Sequence, residues 1–413
     1  MKENKINKNL LETLKPPVEE ILALSKKQNT NLKILDCSQA APSSPPPQSL
    51  LAALKKSTSN PKNYRYGAVL GKSKLRILIA QRWNSLYKSD IKLSNVGVTS
   101  GCNQAFCAAI TSVAKAGETV ILPSPWYFNH KMWLDMQGIN VAKLPCTQDF
   151  LPDFNTLKKI FNPSVKAIVL VTPNNPTGQE YPKQLIRKFA NFVKRKKITL
   201  IIDETYRDFI SKKSNLHELF QTHDWRKWLI HLYSFSKVYR IPGQRVGAII
   251  TGEVRLENIE KFLDTLHICP NQFSQEAAIH GLKYLTIFVE NQRLEIIERR
   301  KAFKKAMMTL PNWKILGLGS YFAYIRYPMP LSSNKFSELL LKEVSILIIP
   351  GAFFEPKSDL PDNKDDRNFR VAFANIDKLS SIDLVSRLKS FESIFYEKYC
   401  FPQKTSLEGS QAK

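Results

Sequence analysis

Between about residues 96 and 251, short apolar runs alternate with amphipathic stretches, and this rhythm limits the fold more than any other feature of the chain. The runs are Thr119–Leu122, Ala167–Val171, Thr199–Ile202, Leu229–Tyr233 and Val246–Thr251. Each is short, and turn formers bound the group. Gln104–Lys115 and Pro182–Lys197, which lie between runs, carry apolar residues at helical spacing. Apolar strands separated by helices predict an α/β fold with a mostly parallel sheet covered on both faces. After about 252 the pattern changes. A long charged helix is expected over roughly 286–309, then strands near 313–326, 346–349 and 368–373 and a helix near 378–396. Pro42, Pro45, Pro46 and Pro47 mark an extended entry segment, because proline disfavours helix at and before its own position. The expected organisation is an arm over 1–48 that joins a small domain, a large domain over 49–290, the rest of the small domain over 291–400, and a disordered tail over 401–413.

No apolar run approaches the roughly 20 residues of a bilayer span. The start, MKENKINKNLLETLK, lacks the apolar core of a secretory signal. The six cysteines are scattered without metal-ligand spacing, which fits reduced thiols and a cytoplasmic location. The formal charge of +25 raises nucleic-acid binding as a possibility. No helix-turn-helix, zinc finger or aromatic-interleaved basic motif accompanies it, and the run Lys194-Arg195-Lys196-Lys197 falls where a solvated turn is expected. Compositional drift towards lysine accounts for the charge, so neither nucleic acid nor membrane is expected as a partner.

In open α/β sheets, ligands bind beyond the carboxyl ends of the strands. Four polar segments follow or adjoin the apolar runs. Asp203-Glu204-Thr205-Tyr206 follows Leu200–Ile202, where a buried carboxylate needs a partner. Ser234-Phe235-Ser236-Lys237 follows Leu229–Tyr233 and leads to Arg245; a desolvated lysine there becomes a nucleophile towards carbonyls, and the serines with Arg245 suit a phosphate. Ser100-Gly101-Cys102-Asn103 opens an amphipathic helix, a natural anion site. Thr172-Pro173-Asn174-Asn175-Pro176-Thr177-Gly178 is a rigid turn able to fix an asparagine amide. Singly, each has an ordinary explanation as a cap, a strand end or an exposed turn. Their combination in one order is the informative feature.

With Tyr66, Gly71, Pro123-Ser124-Pro125-Trp126-Tyr127, Arg245-x-Gly247, Pro350-Gly351 and Phe369-Arg370, these segments resemble the class I/II aminotransferases of the aspartate aminotransferase superfamily over roughly residues 30–395. The resemblance implies a fold-type I enzyme dependent on pyridoxal 5′-phosphate, with a seven-stranded large domain and an α+β small domain formed by both chain ends. It implies that Lys237 holds the cofactor covalently and shuttles a proton, that Asp203 pairs with the ring nitrogen, and that Tyr206 and Asn175 bond the ring O3′. Tyr127 would stack on the ring, or Trp126 next to it if the alignment shifts by one residue. Ser234, Ser236, Arg245 and the backbone of Gly101, Cys102 and Asn103 would hold the phosphate. Tyr66 would reach a neighbouring subunit's phosphate, which implies a homodimer with shared active sites. Arg370 would clamp the substrate α-carboxylate. Ala40 stands where many relatives carry a glycine, and Gln39, Ala40, Trp126, Tyr127, Tyr321 and Phe322 are expected to shape the substrate pocket. The implied reaction moves an amino group between an L-amino acid and a 2-oxo acid. A carbon–sulfur lyase would use the same residues. A transcription regulator of this fold is disfavoured, since only about 35 residues precede the similar region.

Overall fold

The computed structural model describes residues 6–24, 31–212, 216–356 and 366–400, so the expected tail at 401–413 lies outside the described residues. Thirteen strands are described. β1 is Leu35–Asp36, β2 Val96–Thr99, β3 Thr119–Ser124, β4 Asn140–Pro145, β5 Val165–Val171, β6 Thr199–Asp203 and β7 Leu229–Ser234. β8 is Gly247–Ile250, β9 Lys314–Gly319, β10 Phe322–Arg326, β11 Ile346–Leu347, β12 Ile349–Pro350 and β13 Asn368–Val371.

β2 to β8 form one seven-stranded sheet in the order β2-β8-β7-β6-β5-β3-β4. Only β8 runs against its neighbours. Side-chain alternation then splits each central strand between two cores. Ile168, Leu170, Leu200 and Ile202 enter one hydrophobic cluster with Trp83, Phe189 and Trp225. Ala167, Val169, Ile201 and Leu232 enter the other with Phe106 and Leu134. Both clusters exclude water, and each fully buried Leu or Ile contributes about 1.5–3 kcal/mol. The basic run falls in the last turn of the Lys183–Lys196 helix, where cations favour the negative end of the helix dipole.

A second, antiparallel sheet of order β12-β13-β10-β9 packs with the helices Thr286–Met307, Ser333–Val344 and Lys378–Phe395 around a third core. β1 pairs in parallel with β11, so the segment before residue 37 joins the C-terminal part of the chain. The architecture is therefore α/β with a smaller α+β part made by both chain ends, as expected.

The same alternation sends Asp203 and Glu204 to opposite sides. Glu204 is buried and accepts the Tyr87 hydroxyl and His231 Nε2 (2.7 Å). His217 takes the Leu219 N–H on Nδ1 (3.2 Å), which places its proton on Nε2, 3.7 Å from Glu204 Oε1. Burial raises the Glu204 carboxyl, but His217, His231 and Arg207 outweigh it and hold the group near 2. Arg207 in turn lies over Trp83 (4.0 Å) and Tyr233 (4.4 Å). This buried charge network anchors the end of β6 from behind.

The Thr172–Gly178 turn meets the small sheet backbone to backbone. A Cβ on Gly319 would lie 2.3 Å from the Gly178 carbonyl, and one on Gly317 would lie 2.5 Å from the Thr177 carbonyl. Gly319→Ala is therefore expected to cost about 1–3 kcal/mol in denaturant unfolding, because no side-chain rotamer relieves a clash with backbone. Gly243→Ala, where a Cβ would meet nothing within 4 Å, is expected to stay within about 0.5 kcal/mol. Equal stabilities for the two variants would contradict this packing.

Candidate active site

A cavity of about 280 Å³ opens at the carboxyl ends of the central strands. Its wall includes Asp203 from β6, Ser234 from β7, and Ser236 and Lys237 from the short Phe235–Val238 helix that follows. Cys102 and Asn103 come from the start of the Cys102–Thr111 helix. Tyr127, Asn175, Tyr206, Arg245, Arg370 and Ala40 also line it.

Asp203 is buried with both oxygens bonded. Oδ1 accepts the Thr205 N–H (2.9 Å), and Oδ2 faces His130 Nε2 at 3.3 Å. Burial pushes this carboxyl up, but the His130 hydrogen bond and charge, together with Thr205, hold it below its ordinary value. His130 is itself fixed by stacking on Phe106 (3.8 Å, 14°) and by the edge of Tyr127 (5.0 Å). It sits on the Phe128–Met136 helix, three residues after Tyr127. The sequence reading missed it; the spacing Tyr127-x-x-His130, which puts both on one helix face, was the available signal.

Desolvation in the cavity lowers Lys237 to about 8, with further repulsion from Arg245 and Arg370. Arg245 Nη1 donates to the Pro242 carbonyl (3.0 Å) and reaches Ser236 Oγ at 3.5 Å. Gly101 contributes differently from expectation. Its N–H is committed to the Thr99 carbonyl (2.8 Å), but it has a φ of 83°, and a Cβ there would lie 2.3 Å from Arg245 Nη2. The missing side chain is what lets the guanidinium approach the helix start. The result is a cationic, donor-rich corner suited to an anion.

Arg370 is buried against the faces of Phe322 (4.8 Å) and Phe354 (5.4 Å). Nη1 donates to Asn175 Oδ1 (2.8 Å), and Nη2 donates to the Ser38 carbonyl. Its Nε has no partner among the described residues. Burial pulls the guanidinium down to about 10, so it stays cationic at neutral pH.

Three expected positions fall elsewhere, and Tyr66, expected at a neighbouring subunit, is 81% exposed and outside this chain's cavity. Trp126 packs into the core beneath the sheet. Tyr321 and Phe322 are buried in the small-domain core, the first against Phe209 and the second under Arg370. The wall instead includes Val18, Ala41, Phe128, Val171, Thr205 and Pro242.

In the ligand-free protein, acylation of Lys237 by a neutral reagent is expected to rise with pH through a midpoint near 8, because only the unprotonated amine reacts. That midpoint lies about two units below that of an exposed lysine. Peptide mapping across a pH series measures it, and a midpoint above about 10 contradicts the desolvated amine.

The profile of the family described as aminotransferase class I and II matches residues 27–388. The chain is 24% identical over 346 residues to L-glutamine–4-(methylsulfanyl)-2-oxobutanoate aminotransferase of Bacillus subtilis, covering 82% of this chain and 87% of that one. It is 28% identical over 296 residues to an aspartate aminotransferase of Pyrococcus abyssi, covering 70% and 76%. The solved structure of aspartate aminotransferase from Thermus thermophilus with maleate superposes with a TM-score of 0.85 at 18% identity, over 94% of this chain and all of that one. A sheet of this order, a desolvated lysine and a hydrogen-bonded aspartate on one cavity wall agree with that match across most of the sequence, and the chain belongs to the aminotransferase class I and II family.

Proposed function

We propose that this protein is a pyridoxal 5′-phosphate-dependent aminotransferase that moves an amino group between an L-amino acid and a 2-oxo acid in two alternating half-reactions. One observation carries the reading: a lysine amine lowered to about 8 and an ionised, doubly hydrogen-bonded aspartate share one cavity with an anion corner and an arginine.

The residues present fit the cofactor. The Arg245–Ser236 corner at the helix start, kept open by Gly101, suits its phosphate, with Ser234, Cys102 and Asn103 beside it. The Asp203 carboxylate suits a protonated ring nitrogen. Bound there, the cofactor supplies an aldehyde for the amino group and a ring that spreads the charge left at the substrate Cα. Asp203 would keep the proton on that nitrogen, its own carboxylate facing His130 at 3.3 Å. Lys237, neutral for part of its population near pH 7, would hold the cofactor through its amine and would carry the proton to or from the substrate Cα. Asn175 has its Oδ1 taken by Arg370, which leaves its amide N–H₂ free to donate, and with Tyr206 it would hold the ring O3′. Tyr127, on the same cavity wall, would pack against the ring. Arg370 holds the substrate α-carboxylate as a fixed guanidinium fork.

An elimination enzyme would need the same groups, and the relatives' names, all aminotransferases, favour transamination. We also propose a cytoplasmic homodimer in which exposed Tyr66 reaches the neighbouring cavity, and domain limits at residues 48, 290 and 400. No described helix is long and apolar enough to cross a membrane.

Mixing the cofactor-loaded enzyme with an amino acid should convert the aldehyde form of the cofactor to its amine form, and release of pyruvate without that conversion would refute transamination. Lys237→Ala should abolish the covalent cofactor band while leaving the fold intact; turnover near the wild-type rate would contradict its role. Arg370→Ala should weaken binding of the α-carboxylate by about 2–3 kcal/mol, and an unchanged Michaelis constant would make it purely structural.

A further inference from the structure

We propose that Asn174 and Tyr181 are positioning residues: Asn174 bonds Thr177 on one side and Tyr181 on the other, and this brace fixes the turn that presents the Asn175 amide to the cofactor. The inference rests on the reading of the cavity as an aminotransferase site.

The two adjacent asparagines of the Thr172–Gly178 turn have different surroundings. Asn175 lines the cavity and accepts from Arg370. Asn174 is not part of that wall, and both ends of its amide are used within the turn. Oδ1 accepts the Thr177 N–H (3.1 Å) and the Thr177 hydroxyl (2.9 Å), while Nδ2 donates to the Tyr181 hydroxyl (3.0 Å). The backbone donor at Thr177 settles which end is oxygen, so the amide can sit only one way round. Asn174, Asn175, Thr177 and Tyr181 are all buried, and water does not compete for these bonds.

Backbone bonds close the same loop. Thr172 Oγ1 accepts the Tyr181 N–H (2.9 Å), the Gly178 N–H donates to the Asn174 carbonyl (2.8 Å), and the Asn174 N–H donates to the Gln179 carbonyl (2.8 Å). Pro176, directly after Asn175, has no N–H to give, so the residues on either side must hold the turn. Asn174 does this by spanning from Thr177 to Tyr181. The brace also borders Tyr127 and His130 from beneath the cavity. An amide that has to meet one cofactor oxygen needs such support, because a shift of about 0.5 Å at its backbone loses the hydrogen bond.

A pH titration of the absorbance of the cofactor-loaded protein tests this without turnover. A donor at the cofactor oxygen steadies its anionic form and makes the bound lysine nitrogen beside it less basic, which lowers the midpoint of the visible absorbance change. Asn175→Ala, which deletes the donor, should raise that midpoint and marks the full effect. Tyr181→Phe, which removes one hydroxyl and keeps the ring packed, should raise it by at least roughly 0.3 pH unit, and Asn174→Ala should raise it further. Tyr327→Phe is the control. It loses a buried hydroxyl bonded to the Leu331 carbonyl (2.8 Å) in the small-domain core, and should lower unfolding stability while leaving the midpoint within about 0.1 unit. A folded Tyr181→Phe with the wild-type midpoint would overturn the inference, as would an equal shift in Tyr327→Phe. The two readings fail separately. A visible band that survives Lys237→Ala unchanged would sink the aminotransferase site itself. A midpoint that Asn175→Ala moves and both Tyr181→Phe and Asn174→Ala leave alone would sink only the brace.

Discussion

The carboxylate of Asp203, held ionised inside the protein by His130 and Thr205, is the constraint on which the rest of the site depends. A buried carboxylate left alone would take up a proton and lose its use as a counter-ion. Here Thr205 and His130 offset burial, one at each carboxylate oxygen. Thr205 belongs to the turn that ends β6, while His130 comes from the Phe128–Met136 helix and is braced by Phe106. The position of the acid is therefore set by the sheet, and its ionisation by a helix packed on one face of that sheet.

Behind Asp203, Glu204 repeats the arrangement on the other face, with two histidines, a tyrosine and Arg207. Two adjacent acids at one strand end thus brace the strand from both sides. The backbone between them has little freedom to move, which suits a site whose geometry has to be kept within fractions of an ångström. In front, burial in the cavity, and after it the charges of Arg245 and Arg370, raise the cost of a proton on Lys237. The lysine yields, because guanidinium groups keep their protons and an amine does not. Desolvation, with help from the charges that make the cavity an anion site, makes Lys237 a nucleophile.

Much of this was legible in the sequence. The strands β3, β5, β6, β7 and β8 announce themselves because they are buried on both faces and read as unbroken apolar runs. β4 does not: it is an edge strand, Asn-Val-Ala-Lys-Leu-Pro, with Leu144 alone fully buried. The polar residues after the runs could be picked out because strand ends gather ligands in such sheets, and the structure lines one cavity with most of them. What could not be read arrives from the side. His130 is one histidine on a helix, with no strand end to mark it. Val18 lies in a segment joined to the cavity only through tertiary packing. Trp126, Tyr321 and Phe322 carry the right chemistry for a pocket but are turned into cores, a choice made by neighbours far away in sequence.

The most direct measurement is a crystal structure of the protein grown with pyridoxal 5′-phosphate. The account predicts unbroken density from Lys237 Nζ to the carbon of the cofactor's aldehyde, with the ring nitrogen within hydrogen-bonding distance of the Asp203 carboxylate and the phosphate against Arg245. A ring bound in another cavity, or one lying here with its nitrogen turned away from Asp203 and Lys237 unattached, would contradict it.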